Sequence, residues 1–284
     1  MMITTLNRVD DLVKTLEFLR SLSPQPCEVL VTADGCVDKT AERVAKEFPE
    51  VRLFINKTGQ GSVASRHRMM SEARGDLVLA LDDDSRPEQL DCVSRLAGIF
   101  ENNPKLAIAT FPQRTDEYPD TLARTDFGQE MPVRSFANSG ACLRVSAYRS
   151  LPGFEPMFFH MYEEPDYALQ CVAAGWEVRY VPQITIRHHW VGRERSEVRN
   201  HHRHARNEFW STVMRCPMPY ALLLCAYRVF SQARFAVKRG SAWVVREPIW
   251  WWQAMKGLPK AFAKRKPVAW SGYRRWLNLP DKGF

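Results

Sequence analysis

Five consecutive apolar residues, Leu77 to Leu81, run directly into three carboxylates, Asp82-Asp83-Asp84. An apolar run of that length, entered through Arg74-Gly75-Asp76, reads as a strand buried on both faces, the environment of a parallel sheet covered by helices. In open α/β sheets, ligands sit beyond the carboxyl ends of the strands, so the three acids stand where a ligand is expected. Adjacent carboxylates repel one another, and a divalent cation is the usual reason to hold them together. Side chains alternate along an extended chain, which sends Asp82 and Asp84 to the same side. The plainer alternative is a solvated acidic turn capping a helix that starts near Pro87.

The surrounding sequence repeats that strand with helices between. Met2 to Thr5 reads as a short strand, and Leu12, Leu16 and Leu19 mark one face of a helix that Asp10 and Asp11 can cap. Strands are expected over Cys27–Ala33 and Val51–Ile55, with helices over Lys39–Phe48 and Ser62–Ala73. A helix over Pro87–Phe100 and a strand over Leu106–Thr110 follow, then a long polar stretch, 111–137, of the kind that forms binding segments or lids. Asn138–Val145 returns to the sheet, Pro165–Ala174 is a helix closed by Gly175, and Glu177–Val181 and Ile184–His188 are strands. Strand and helix alternating through short links is the signature of an α/β fold with a doubly wound, mostly parallel sheet.

At 284 residues and 45 % hydrophobic content the chain can bury a substantial core. Its seven cysteines are scattered and odd in number, which argues against a disulfide framework or zinc cluster and fits a reducing compartment. The N-terminus lacks the pattern of a signal peptide, and no apolar run approaches the roughly 20 residues of a membrane span. The net charge of +8 hides a division: residues 187–284 hold 20 Lys+Arg against 5 Asp+Glu and eight of the nine tryptophans. The preceding 186 residues are acidic on balance.

Taken in order, these motifs resemble glycosyltransferase family 2, whose members have the GT-A fold. Thr5-Leu6-Asn7-Arg8 is similar to the end of that family's first strand, and Thr32-Ala33-Asp34-Gly35 to its second, acidic strand end. Asn56 to Gly61 before Ala64-Ser65-Arg66 resembles its glycine loop, and Leu81-Asp82-Asp83-Asp84 its metal and nucleotide motif. Gly153-Phe154, Tyr162 to Leu169 and Gly175-Trp176 resemble its acceptor-side block, and Pro182 with His188 its closing strand. The resemblance implies a GT-A catalytic domain over residues 1–190 and an inverting, metal-dependent sugar transferase using a nucleotide diphosphate sugar.

On that resemblance, Thr5, Asn7, Arg8, Asp34, Asp82 and Asp83 line the donor. Asp34 takes the base, with a turn-forming role before Gly35 as the alternative. Asp82 holds the ribose. Asp84 and His188 hold Mg²⁺ or Mn²⁺, hard cations suited to oxygen ligands, with His189 as the alternative imidazole. Lys57 and Arg66 are candidates to offset diphosphate charge, or are surface and packing residues. Inversion needs one base to deprotonate the acceptor hydroxyl. Glu164 is that base where the family usually has Asp, or else Glu163. Pro165 at the first position of its helix would set Glu164 at the helix mouth, where the ionised form is favoured.

The basic, tryptophan-rich region, 191–284, begins with Arg193-Glu194-Arg195 and His201-His202-Arg203-His204, the latter expected on a solvated or phosphate-facing helix rather than at a metal. Basic residues interleaved with aromatics describe a nucleic-acid surface or an interfacial membrane helix. No nucleic-acid module is present, and the resemblance favours an anionic membrane surface carrying a glycan or lipid-linked acceptor in cell-surface polysaccharide assembly. The alternative is helices packed on the catalytic domain or on a second copy. The expected location is cytoplasmic, peripheral on the inner face of the membrane. Rival functions are a nucleotidyltransferase, for which Thr4 to Asp11 lacks a phosphate loop, and a silent membrane-bound scaffold.

Overall fold

The computed structural model describes residues 1–189 and 196–281. The expected 190/191 boundary and Arg193-Glu194-Arg195 lie outside the described residues. The first half alternates β1 (Met2–Thr5), α1 (Val9–Leu19), β2 (Leu30–Asp34), α2 (Thr40–Glu47), β3 (Arg52–Asn56), α3 (Ser62–Glu72) and β4 (Leu77–Asp82). Then come β5 (Ser85–Pro87), α4 (Cys92–Glu101), β6 (Leu106–Thr110), β7 (Gln113–Thr115), β8 (Met131–Pro132), β9 (Ala141–Arg144) and α5 (Val145–Arg149). The chain continues through α6 (Glu163–Ala173), β10 (Glu177–Tyr180) and β11 (Ile186–His188). It ends in helices α7 (Glu197–Arg215), α8 (Tyr220–Arg239), α9 (Ser241–Val244), α10 (Glu247–Ala263) and α11 (Trp270–Leu277).

Eight strands form the main sheet in the order β3-β2-β1-β4-β9-β6-β10-β8. The first four are mutually parallel, β9 runs antiparallel between β4 and β6, β10 is parallel to β6, and β8 is an antiparallel edge. The run at Leu77–Leu81 is buried on both faces as its composition demands. Val78 and Ala80 join Met2, Leu30, Met69 and Leu169 in one apolar layer, and Leu79 and Leu81 join Ile3, Leu16, Val31 and Phe100 in the other.

Four expectations change. No helix starts at Pro87: Ser85–Pro87 is a strand, and the helix begins at Cys92. β5 pairs with β11, and β11 with β7, in a separate three-stranded sheet, so Ile184–His188 does not extend the main one. The stretch 111–137 contains two short strands, β7 of this second sheet and β8 at the edge of the main one, rather than loop alone. Pro165 is the third residue of α6, not the first, and Tyr162 precedes the helix in the left-handed conformation. Proline is tolerated there because first-turn N–H groups have no intrahelical partner.

The change of composition near residue 187 is not a change of core. Trp210, Met214, Tyr273 and Trp276 from α7 and α11 pack in the same apolar layer as Tyr167 and Leu169 of α6.

Candidate active site

Parallel strands deliver the acids. Thr4 of β1 is in register with Asp82 of β4, so Thr5 lies beside Asp83 and its hydroxyl donates to Asp83 Oδ2 at 2.8 Å. Arg8, just beyond β1, spans the acids, with Nη1 2.7 Å from Asp83 Oδ1 and Nη2 2.6 Å from Asp84 Oδ2. Burial pushes the Asp83 carboxyl up to about 7 against the pull of Arg8.

The second sheet supplies the imidazole. The β5–β11 register sets His188 opposite Ser85, and the His189 N–H donates to the Asp84 carbonyl at 2.8 Å. His188 Nε2 lies 3.1 Å from Asp84 Oδ1. Burial acts to raise the Asp84 carboxyl, but His188 and Arg8 outweigh it and hold the group below the ordinary carboxylate range. One ligand atom each from Asp82, Asp84 and His188 falls within 4.8 Å of the others. Two carboxylates and an imidazole whose ligand atoms lie this close, with Asp84 Oδ1 and His188 Nε2 both buried and facing each other, fit a divalent cation. His189, the alternative imidazole, instead turns its Nδ1 toward Asp116, at 3.9 Å.

Arg66 joins this cluster to the glutamates. Almost wholly buried on α3, it donates to Asp82 Oδ1 at 2.7 Å and to Glu163 Oε1 at 3.0 Å. Glu163 Oε1 also accepts from Asn138 Nδ2 at 3.3 Å. Glu164 is half-buried at the head of α6. Burial, reinforced by the Glu163 charge, pushes its carboxyl up to about 8. The helix terminus was expected to favour the ionised form, and the opposite direction holds because burial and a neighbouring carboxylate outweigh it. Asp166, close to both in sequence, is tied up: it accepts from Ser211, Gln170 and Arg215, the last two on its own helix and on α7.

The other residues expected to line the donor do local work. Both Asp34 oxygens accept from the loop that follows β3: Oδ1 from Asn56 Nδ2 at 2.7 Å and the Gln60 N–H at 2.9 Å, Oδ2 from the Gly61 N–H at 2.7 Å. Asn7, at φ 54°, accepts from the Val37 N–H at 2.8 Å and so ties the ends of β1 and β2 together. Lys57 is exposed on the loop. The histidine run is a solvated face only in part: Arg203 is half-buried and His204 exposed, but His201 and His202 are buried, and His201 Nε2 lies 2.8 Å from Glu247 Oε1 of α10. Sequence reasoning passed over Asn138, His160 and Asn207, polar residues with no motif, which gather here only through the fold.

A mostly parallel central sheet with flanking helices is the architecture of GT-A glycosyltransferases, and solved structures of that class superpose on the chain. GalNAc-T7 with UDP, GalNAc and Mn²⁺ matches at TM-score 0.62 and 11 % identity over 76 % of this chain and 48 % of its own. TarS of S. aureus in complex with UDP-GlcNAc matches at 0.61 and 14 % over 92 % and 80 %. The mannosyltransferase PcManGT of Pyrobaculum calidifontis, with GDP-Man and Mn²⁺, matches at 0.56 and 15 % over 97 % and 83 %. The sequence model of Glycosyl transferase family 2 matches residues 1–163, and the chain belongs to that family. An uncharacterized glycosyltransferase of Haemophilus influenzae is 28 % identical over 112 residues, 39 % of this chain and 37 % of that protein. The chain thus spans about a third of that relative's length and about half of GalNAc-T7's.

Proposed function

We propose that the chain transfers a sugar, with inversion, from a nucleoside diphosphate donor to a hydroxyl of a glycan or lipid-linked acceptor. The observation that carries this reading is the Asp82–Asp84–His188 cluster joined through Arg66 to the head of α6. Family membership and the nucleotide sugars bound by PcManGT and TarS support it. A divalent cation held by Asp82, Asp84 and His188 would neutralise charge developing on the departing diphosphate. Arg66 and Asn138 both bond Glu163 Oε1, and Glu164, whose carboxyl burial raises to about 8, would take the acceptor's proton, with Glu163 as the alternative base. As the acceptor's hydroxyl oxygen, losing its proton to the base, bonds to the anomeric carbon, the bond from that carbon to the diphosphate oxygen breaks, and its electron pair leaves with the nucleotide. A carboxyl raised toward neutrality is a stronger base than an ordinary one.

The same reading extends to location. Among the described residues no helix is long and apolar enough to cross a membrane. Yet Leu223, Tyr227 and Phe230 follow one another at helical spacing on α8 and are 69 %, 57 % and 65 % exposed. On α10, Trp252 is 67 % exposed; Arg234 and Lys238 lie between these residues in the sequence, and Lys256 follows one turn after Trp252. Apolar side chains bordered by cations match an anionic leaflet, on which an acceptor for surface polysaccharide would be presented.

The test is calorimetric titration of UDP and GDP with Mn²⁺ and with chelator. Binding of one nucleotide should require the metal. Outer-shell partners of a metal site are worth about 10–100-fold in affinity, so Asp84→Asn should cost at least that while the chain stays folded by circular dichroism. Equal affinity in chelator and Mn²⁺ refutes the metal site.

A further inference from the structure

The segment leading into α6 is strained. Phe159, Met161 and Tyr162 have φ of 66°, 77° and 70°, and none is glycine. Side-chain-bearing residues hold such conformations only where the surroundings over-determine them. The clamp is on α7. Asn207 is wholly buried, and its Nδ2 lies 3.0 Å from the Phe158 carbonyl, 2.9 Å from that of His160 and 2.7 Å from that of Met161. Arg206 Nη2 donates to the Phe158 carbonyl at 3.1 Å, and Arg206 Nε donates to Asn207 Oδ1 at 3.1 Å, which fixes which way the amide faces.

The opposite side of the segment meets the glycine loop. The Val63 N–H donates to the Phe159 carbonyl at 3.2 Å, and Ser62 Oγ lies 2.9 Å from His160 Nδ1. Gly61 has φ 92°, and a Cβ there would sit 2.1 Å from the Phe159 oxygen. The segment is therefore pressed between the N-terminus of α3 and α7, and it ends on Tyr162, one residue before Glu163.

We infer that Asn207 is a positioning residue: by gathering three carbonyls of the strained segment, it sets where Glu163 and Glu164 enter the site. This rests on the reading of Glu164 as base and adds that the C-terminal helices serve catalysis as well as attachment. A buried donor that served only to fill space would leave the backbone conformation of 159–162 unchanged on removal. A clamp would release it.

The experiment uses the full chain and the nucleotide sugar it turns over among UDP-GlcNAc, UDP-GalNAc and GDP-mannose, read as release of nucleoside diphosphate. Asn207→Ala should lower kcat by about 10–100-fold, the scale of a misplacement near 1 Å, with KM for the nucleotide sugar within about threefold. Amides of 159–164 should exchange with deuterium faster while those of β4 do not. Glycine adopts positive φ without strain, so Met161→Gly in the Asn207→Ala background should recover most of the lost kcat. Asn207→Ser, which keeps one donor, should fall between and serves should alanine not fold. Unchanged kcat and exchange, or a loss that glycine at 161 does not recover and that raises KM equally, overturns the inference. Loss in Asn207→Ala beside a fully active Glu164→Gln would refute the base assignment instead and leave the clamp standing.

Discussion

Glu163 and Glu164 are neighbours in sequence with opposite surroundings. The first faces a buried guanidinium and the second has a carboxyl raised to about 8. Glu164→Gln keeps size and loses the proton-accepting oxygen, so transfer should fall by about 10²–10⁴ with nucleotide affinity near normal. In the wild type, kcat/KM should climb with pH through roughly 8 as the carboxyl ionises, and that limb should vanish in Glu164→Gln. The same group carries a stability cost of known sign. Its folded-state value lies above the unfolded one, so its contribution to stability is intact at acid pH and is lost as pH rises toward 8. Denaturation at pH 5 and pH 9 should show a smaller decline for Glu164→Gln than for wild type. Removal of Arg66 is a different experiment. It strands the buried Glu163 beside Asp82, and breaking a buried pair typically costs about 3–5 kcal/mol, so Arg66→Met should lower the urea midpoint well before any question of activity.

At the scale of elements, the glycine loop shows how a side chain at a strand end can be spent on folding. Asp34 ends β2 and takes hydrogen bonds from Asn56, Gln60 and Gly61. Hydrogen bonds to a charged group are worth about 1.5–3 kcal/mol each before the loop relaxes. Asp34→Ala should therefore lower stability by roughly 2–3 kcal/mol and free residues 56–61 to exchange with solvent. Hydrogen exchange resolved by peptide checks both; an unchanged loop would mean that β3 and α3 alone hold it. The second sheet is the other decisive element. Three short strands bring His188 to Asp84 across about a hundred residues of sequence, and nothing in Ile184–His188 taken alone distinguishes that sheet from the main one.

At the scale of the molecule, the basic C-terminal region has an inner and an outer face. The inner face is structural: Tyr273 and Trp276 lie in the main core, Trp276 Nε1 donates to the Arg134 carbonyl at 2.7 Å, and Lys264 meets Glu155 at 2.7 Å. Burying a tryptophan this fully is worth about 3–5 kcal/mol against alanine, so Trp276→Ala should destabilise the whole domain and truncation at 220 should not leave a folded catalytic half. The outer face is the place to test attachment. The intact chain should sediment with vesicles containing phosphatidylserine at low salt and be released as salt shortens the Debye length below about 8–10 Å. Replacing Leu223, Phe230 and Trp252 together by serine should abolish sedimentation and spare nucleotide binding. Failure of the wild type to sediment, with a concentration-dependent dimer instead, would assign this face to a second copy.

By itself the sequence determined the strand at Leu77–Leu81, the alternation of strands and helices, and the acids at the strand ends. Each of these follows from local periodicity and from where parallel sheets present their termini. It also carried the family, because the motifs lie in order along the chain. Tertiary structure decided what each acid faces. Asp83 turns to Thr5 and Arg8, Asp84 to Arg8 and His188, Asp166 to Arg215, and Glu164 to a half-buried setting beside Glu163. It also decided that Asn207 reaches the segment before α6 and that one face of a basic tail joins the core. These are contacts between residues distant in sequence, and a carboxylate's charge state depends on such neighbours and on burial, neither of which local spacing encodes.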